Sequence, residues 1–295
     1  MGGSTPVDAF GYLVIWPPIG RLPGAMLSVS ALYIYPIKSC RGIEVRSFRL
    51  DDLGPQFDRR YMIVDPEGRC INQRDEPRLA LVVPSLQPTT LLVRAEGMQP
   101  LKLPLSPRGD GRVVEVEHFD HRSRAYDAGA DPADWFSQFL GRSCRLAYMP
   151  NAQLRRVSEQ YSPEPAFTSF TDGFPELVLS SESIADLSAR CGVTLAPERF
   201  RPTIVVSGGA PYLEDTWRRV RIGEVLFDVV KPCARCSITT IDPQTAARGS
   251  EPLATLAKFR RQESMVIFGQ NCVHRELGSI RVGDAIEVIE SLTRP

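Results

Sequence analysis

The stretch 231–243, KPCARCSITTIDP, sets two thiols, Cys233 and Cys236, at C-x-x-C spacing. Such a pair can close a redox disulfide, supply half of a zinc site, or present one soft thiolate to a heavier metal. Zinc needs two further ligands, and with no second C-x-x-C in the chain, single residues such as Cys272 and His274 would have to complete the site through folding. A thioredoxin-like role needs the pair at the start of a helix, whereas a strand-like run over 237–241 follows it. Ordinary buried thiols are the default reading. It is weakened by Lys231 and Arg235, which flank the pair and are expected to lower its thiolate pKa values.

Cationic groups recur at the starts and ends of apolar runs. In 35–42, YPIKSCRG, a strand ends at a turn that offers the ammonium of Lys38, the hydroxyl of Ser39 and backbone N–H groups, a seat for one phosphate. Arg59 and Arg60 precede the apolar run 61–64. Alternation sends them to opposite faces, one into water and one inward, where an arginine needs an anion. Arg201 stands in the same way before the run 203–207. Other polar groups read as bland: His118 and His121 as surface residues, Glu214-Asp215 as an exposed turn, and Cys70, Cys144 and Cys191 as structural. Trp135 and Trp217 read as core or interface anchors.

These residues must be positioned by many short elements, since 25 prolines in 295 residues leave little room for long helices. Short β-type runs over 29–35, 43–50, 61–64, 79–83, 89–94 and 113–117 are each bounded by Pro, Gly or Asp. A helix is predicted over 132–140, with Asp131 as N-cap, Pro132 at its first position and Gly141 closing it. A strand over 144–149 is followed by a polar stretch, 150–165, that reads as a linker. Beyond it the pattern gives strands at 177–179, 203–207, 225–230, 237–241, 265–273 and 286–289. Helices are expected over 182–191 and 253–261. So few helices cannot supply the crossovers of a doubly wound parallel sheet. The expected fold is α+β and predominantly β, with two β-barrel-like domains over 27–149 and 150–295 and a few short helices. Residues 1–25 read as a disordered extension without the basic start of a secretory signal.

Thirty-five basic against 35 acidic side chains give a formal net charge of zero, which argues against a nucleic-acid or polyanion binder. The apolar fraction of 43% is that of a globular chain, and no apolar run approaches the roughly 18 to 20 residues of a membrane span, so a soluble protein is expected. Seven scattered cysteines, an odd number, suit a reducing compartment such as the cytoplasm.

The segments YPIKSCRG, FDRRYMIVD, INQRDEPRLA, ERFRPTIVVSG, YLEDTW, KPCARCSITTIDP and FGQNC follow one another in the order found in MOSC-domain proteins. The chain from about 27 to 289 resembles their arrangement of an N-terminal MOSC β-barrel-like domain and a MOSC domain, and within the family it is most similar to amidoxime-reducing components. The resemblance implies a molybdenum cofactor, with Cys236 as the metal's thiolate ligand and Cys233 and Arg235 lining the same loop. It implies that Lys38 and Ser39 hold the pterin and its phosphate, that Arg59 and Arg201 make further anion contacts, and that Thr171 and Asp172 touch the cofactor. Thr203 and Asn271 depart from the pattern and are expected at the rim of the site. The implied activity is reduction of a small N-oxygenated substrate. The [2Fe–2S] spacing C-x4-C-x2-C is missing, so electrons would come from a separate redox protein. The alternative is a non-catalytic carrier of the molybdenum cofactor or of sulfur. Pyridoxal phosphate binding enters only as a family-level expectation.

Overall fold

The computed structural model describes residues 26–106, 111–119 and 121–292; the extension expected over 1–25 lies outside them. Its largest sheet sets Ile43–Val45, Ser28–Ile34, Ile204–Ser207, Glu176–Ser180, Met265–His274, Val225–Ala234, Trp217–Ile222 and Ile286–Ser291 side by side in that order, so the first strands of the chain share a sheet with the last. Neighbours run antiparallel except Glu176–Ser180 and Ile204–Ser207, which are parallel with Val178 opposite Ile204. A parallel pair cannot be joined by a hairpin. The crossover is helix α2, Ser181–Cys191, whose cap Ser180 accepts from the Ser183 N–H as a Ser-capped start predicts.

The sheet curls until Ser28 bridges Ala285 and the Val29 N–H donates to the Asp284 carbonyl at 2.9 Å. Val29, Leu32, Val178, Val220, Phe227 and Cys272 fill the space it encloses, and all are buried. Cys272 is therefore core.

A second β unit is built from a four-stranded sheet, ordered Tyr61–Val64, Arg145–Tyr148, His121–Asp127, Val113–His118, and a three-stranded one, Val83–Leu86, Thr90–Arg94, Leu101–Pro104. Helix α1, Ala130–Leu140, lays Trp135, Phe136 and Leu140 against Leu91, Val93 and Leu146. It stops at Gly141, whose φ of 69° is the left-handed cap that glycine adopts at little cost. Helix α3, Leu253–Phe259, packs beside the long strand Met265–His274. Among the described residues no helix is long and apolar enough to cross a membrane.

Several local expectations fail for physical reasons. Residues 237–241 are no strand: Ser237–Thr240 form a 3-10 turn, because the hydroxyls of Thr239 and Thr240 donate to the carbonyls of Cys236 and Ser237 at 2.9 and 2.8 Å and compete with sheet pairing. The run at 79–83 becomes a 3-10 turn, Pro77–Leu81, started by its proline. The polar stretch 150–165 is tied down by a short strand, Arg155–Arg156, that pairs with Phe167–Thr168. Glu214 and Asp215 are buried rather than exposed. Glu214 accepts from the Ser180 N–H and the Ser183 hydroxyl, and Asp215 is paired with Arg260 and Gln270.

Candidate functional site

A cavity of about 290 Å³ opens where the two β units meet, and both walls come from elements distant in sequence. Lys38 and Ser39 reach it from the turn after the first strand, Arg59 from the segment before Tyr61–Val64, and Thr171 and Asp172 from the loop before Glu176–Ser180. Arg201 enters after a short 3-10 turn, Cys233, Arg235 and Cys236 stand at the end of Val225–Ala234, and Asn271 lies on the facing strand. Thr203 is the exception. It is fully buried behind the wall, where its hydroxyl bonds the backbone of Leu177, so the rim position expected for it is wrong.

Two arginines of the wall are held by backbone carbonyls, and each keeps one guanidinium atom without a partner. Arg201 donates through Nη1 to the Cys40 carbonyl at 2.8 Å, and Arg235 donates through Nε to Phe268 and through Nη1 to Phe200, both at 2.8 Å. The Nη2 atom of each is buried without a partner in the protein. A buried guanidinium N–H left unmet costs roughly 1 to 3 kcal/mol, more for a charged group. Arg201 and Arg235 both line the cavity, and two guanidinium groups with unmet N–H capacity there suit an anion with several oxygens. Burial, then the nearby Arg59, pulls Arg201 down to about 10. Arg59 itself is pinned by Asp58 at 2.6 Å. Alternation predicted one solvated arginine at 59–60, yet Arg60 is buried, bonded to Asp51 and Asn151, and Arg59 is half-buried on the cavity wall.

Backbone strain gathers on the same walls. Ser39, Arg59, Phe119 and Arg201 all have positive φ, at 69°, 46°, 52° and 56°. Non-glycine residues enter this region at a cost of order 1 to 3 kcal/mol and persist where the surroundings over-determine them, commonly at binding sites.

A second cluster faces the arginines. The Lys38 ammonium donates to the Phe170 carbonyl at 2.9 Å and pairs with Asp172, whose Oδ1 also lies 3.4 Å from His118 Nε2. His118 is therefore no surface residue; it is 5% exposed, at the end of a hairpin strand that leans over the cavity. Burial and then Lys38 push its pKa down to about 4, with Asp172 opposing, so the ring is neutral at pH 7. The protein around Asp172 disfavours its charge, but Lys38 and then His118 outweigh this and hold the carboxyl well below the usual carboxylate range. The Asp172 side chain remains 66% accessible, open to whatever fills the cavity.

At the other end stand the two thiols. Cys233 does not have the lowered pKa expected from its cationic neighbours: burial pushes it up, with Arg235 opposing, and Lys231 points away to the Tyr161 ring at 4.3 Å. Cys236 lies 3.7 Å from Nη1 of Arg74, a half-buried residue in the segment INQRDEPRLA. Neither Cys272, in the barrel core, nor His274, 2.8 Å from Glu176, joins the pair. Of the cysteines read as structural, Cys70 also lines the cavity.

Comparison with known proteins agrees with this geometry. Residues 26–143 match the model of the MOSC N-terminal beta barrel domain, and residues 167–287 match that of the MOSC domain. The mitochondrial amidoxime-reducing component 1 of Mus musculus is 34% identical over 279 residues, 89% of this chain and 82% of that protein. The chain belongs to the MOSC-domain proteins. The Homo sapiens amidoxime-reducing component 1 is 31% identical over 97% of this chain and 90% of its own. The molybdenum cofactor sulfurase of Bos taurus is 30% identical over 84% of this chain, which spans only 30% of that protein.

Within this MOSC protein, the C-x-x-C and the two isolated arginines carried enough signal to be found in the sequence. Arg74, His118 and Phe119 did not: the first sits in a motif that marks only the family, and the hairpin residues look like any polar turn until the fold leans them over the cavity.

Proposed function

We propose that this protein is a molybdenum-cofactor-dependent reductase of small N-hydroxylated compounds, supplied with electrons by a separate redox protein in the cytoplasm. The observation that carries the reading is the meeting, on one cavity, of the Cys236 thiol with two buried guanidinium atoms, Nη2 of Arg201 and of Arg235, that lack a partner. Its similarity to amidoxime-reducing components over most of the chain supports the same conclusion.

In this reading Cys236 is the soft protein ligand of the metal, and Arg201, Arg235 and Arg59 meet the oxygens of the cofactor's phosphate. Ser39, at the strained turn beside Lys38, adds a hydroxyl and backbone donors. When bound, the molybdenum group supplies a centre that takes up an oxygen atom and passes on two electrons. The net change is R–N–OH to R–N–H plus water, consuming two electrons and two protons. The chain's own part is to bind and orient the substrate. The accessible Asp172 carboxylate accepts hydrogen bonds from a substrate's N–H or O–H, and Lys38 keeps that carboxylate charged. Neutral His118 holds Asp172 in place without adding another positive charge to the cavity.

The test is direct. Molybdenum-loaded protein given reduced viologen and an amidoxime should form the amidine, and Cys236→Ala should not. Absence of turnover across several N-hydroxylated substrates, in protein shown to contain molybdenum, would leave a carrier role instead.

A further inference from the structure

We propose that Phe119 is the residue that selects among substrates, favouring N-hydroxylated compounds that carry a flat apolar group over those that do not; the proposal rests on the reading of the cavity as the substrate site. Several large apolar side chains are exposed among the described residues, but Phe119, 46% exposed, is the one of them that lines the cavity. Its surroundings fix it there. The preceding His118 ring lies 4.8 Å from it and is itself anchored towards Asp172, and the φ of 52° at Phe119 turns its side chain out of the hairpin. The ring is faced by two cations, Lys38 Nζ at 5.9 Å and Arg74 Cζ at 5.0 Å from its centroid.

Arg74 ties this platform to the chemistry. The same guanidinium that faces Phe119 reaches Cys236 Sγ at 3.7 Å, so one side chain spans the interval between the aromatic ring and the thiol. A small molecule seated at the Cys236 end meets Phe119 between itself and solvent. An aryl group on that molecule can pack on the exposed ring in an offset or edge-to-face arrangement, whereas a methyl group buries little against it. The wall also carries apolar side chains such as Phe174, Leu177 and Phe200, but Leu177 and Phe200 are buried and Phe174 is half-buried, so Phe119 is the large apolar side chain of the wall that stands exposed to a ligand's tail.

The experiment is equilibrium binding by calorimetry of benzamidoxime and of acetamidoxime to oxidised, molybdenum-loaded protein with no reductant present. Phe119→Ala should weaken benzamidoxime binding about tenfold while changing acetamidoxime by less than about twofold, and Phe119→Trp should restore the aryl preference. In turnover the same substitution should raise KM for the aryl compound with little change in kcat. An equal loss for both ligands, or none for either, overturns the role of Phe119 while leaving the reductase reading intact. Failure of the unsubstituted protein to bind either amidoxime overturns the role of Phe119, and the reductase reading falls with it if reduced viologen also gives no turnover of either compound.

Discussion

The guanidinium carbon of Arg201 lies 4.2 Å from the centroid of the Tyr35 ring, whose hydroxyl in turn donates to the carbonyl of Pro202. Arg59 stands at the same distance from that ring, so one fully buried tyrosine attracts both cations and offsets part of their mutual repulsion. The arrangement holds Arg201 in place while leaving its Nη2 without a partner.

Arg201→Met should therefore split stability from binding. Replacing a buried, incompletely paired charge with an apolar group of similar length is commonly neutral or stabilising. The cofactor-free variant should unfold in urea at the same midpoint or with a gain of about 1 kcal/mol, while molybdenum content after loading falls severalfold. A loss above about 2 kcal/mol in the cofactor-free protein would show that Arg201 is a structural residue with no anion to meet.

The two thiols should behave unequally. Cys236→Ala is expected to abolish molybdenum retention. Cys233→Ala is expected to retain most of it, because burial raises the Cys233 pKa and disfavours its thiolate. Elemental analysis of both variants, loaded side by side, decides; equal molybdenum in the two would remove Cys236 as ligand.

His118 gives a pH signature. Its folded pKa of about 4 lies below the ordinary 6.5, so between those values the unfolded chain binds the proton and the folded chain resists it. The contribution is complete above pH 6.5 and is lost as pH falls towards 4. A shift of this size corresponds to at most about 3 kcal/mol. His274 has the opposite sign: although burial opposes it, Glu176 raises its pKa, and that contribution fades as pH rises. The two are separated by comparing the protein with His118→Gln in urea at pH 7 and pH 4.5. The unsubstituted protein should lose more stability on acidification than the variant, and parallel losses would mean that His118 is not buried neutral.

The sequence made some of this legible and hid the rest. The Ser-capped α2 and the glycine-closed α1 depend on residues within one turn of the helix ends, so they could be read locally. The C-x-x-C and the arginines before apolar runs were likewise visible as local anomalies. What escaped was set by packing across long separations. His118 is buried because its hairpin meets the loop of Asp172, 54 positions away, and Asp215 is inside because Arg260, 45 positions away, neutralises it. No local pattern at Glu214-Asp215 distinguishes that buried pair from an acidic surface turn.

That pair yields a stability prediction remote from the cavity. Arg260→Met removes the cation from a buried carboxylate, leaving Asp215 with the Gln270 amide at 2.6 Å. Breaking one side of a buried ion pair costs about 3 to 5 kcal/mol, so the urea midpoint should drop sharply. Arg260→Met together with Asp215→Asn should recover much of the loss. No recovery in the double variant would assign the effect to packing of the arginine stem.

Gly269 links the backbone to the anion-facing arginine. Its φ is 77°, and a Cβ placed there would lie 2.9 Å from the Val178 carbonyl oxygen and 3.3 Å from Nη2 of Arg235. Alanine thus meets two penalties, the left-handed backbone at roughly 1 to 2 kcal/mol and a collision with sheet backbone that cannot move aside. Relief by displacement of Arg235 would shift a guanidinium group that lines the cavity. Gly97→Ala supplies the control, since Gly97 has a φ of 72° with open space around it and carries the backbone penalty alone. Gly269→Ala should lose more stability than Gly97→Ala, by about 1 to 2 kcal/mol in denaturant, and should also retain less molybdenum. Equal stability losses in the two variants, with full molybdenum in both, would mean that the strand accommodates a methyl group and that Arg235 does not depend on a bare backbone at position 269.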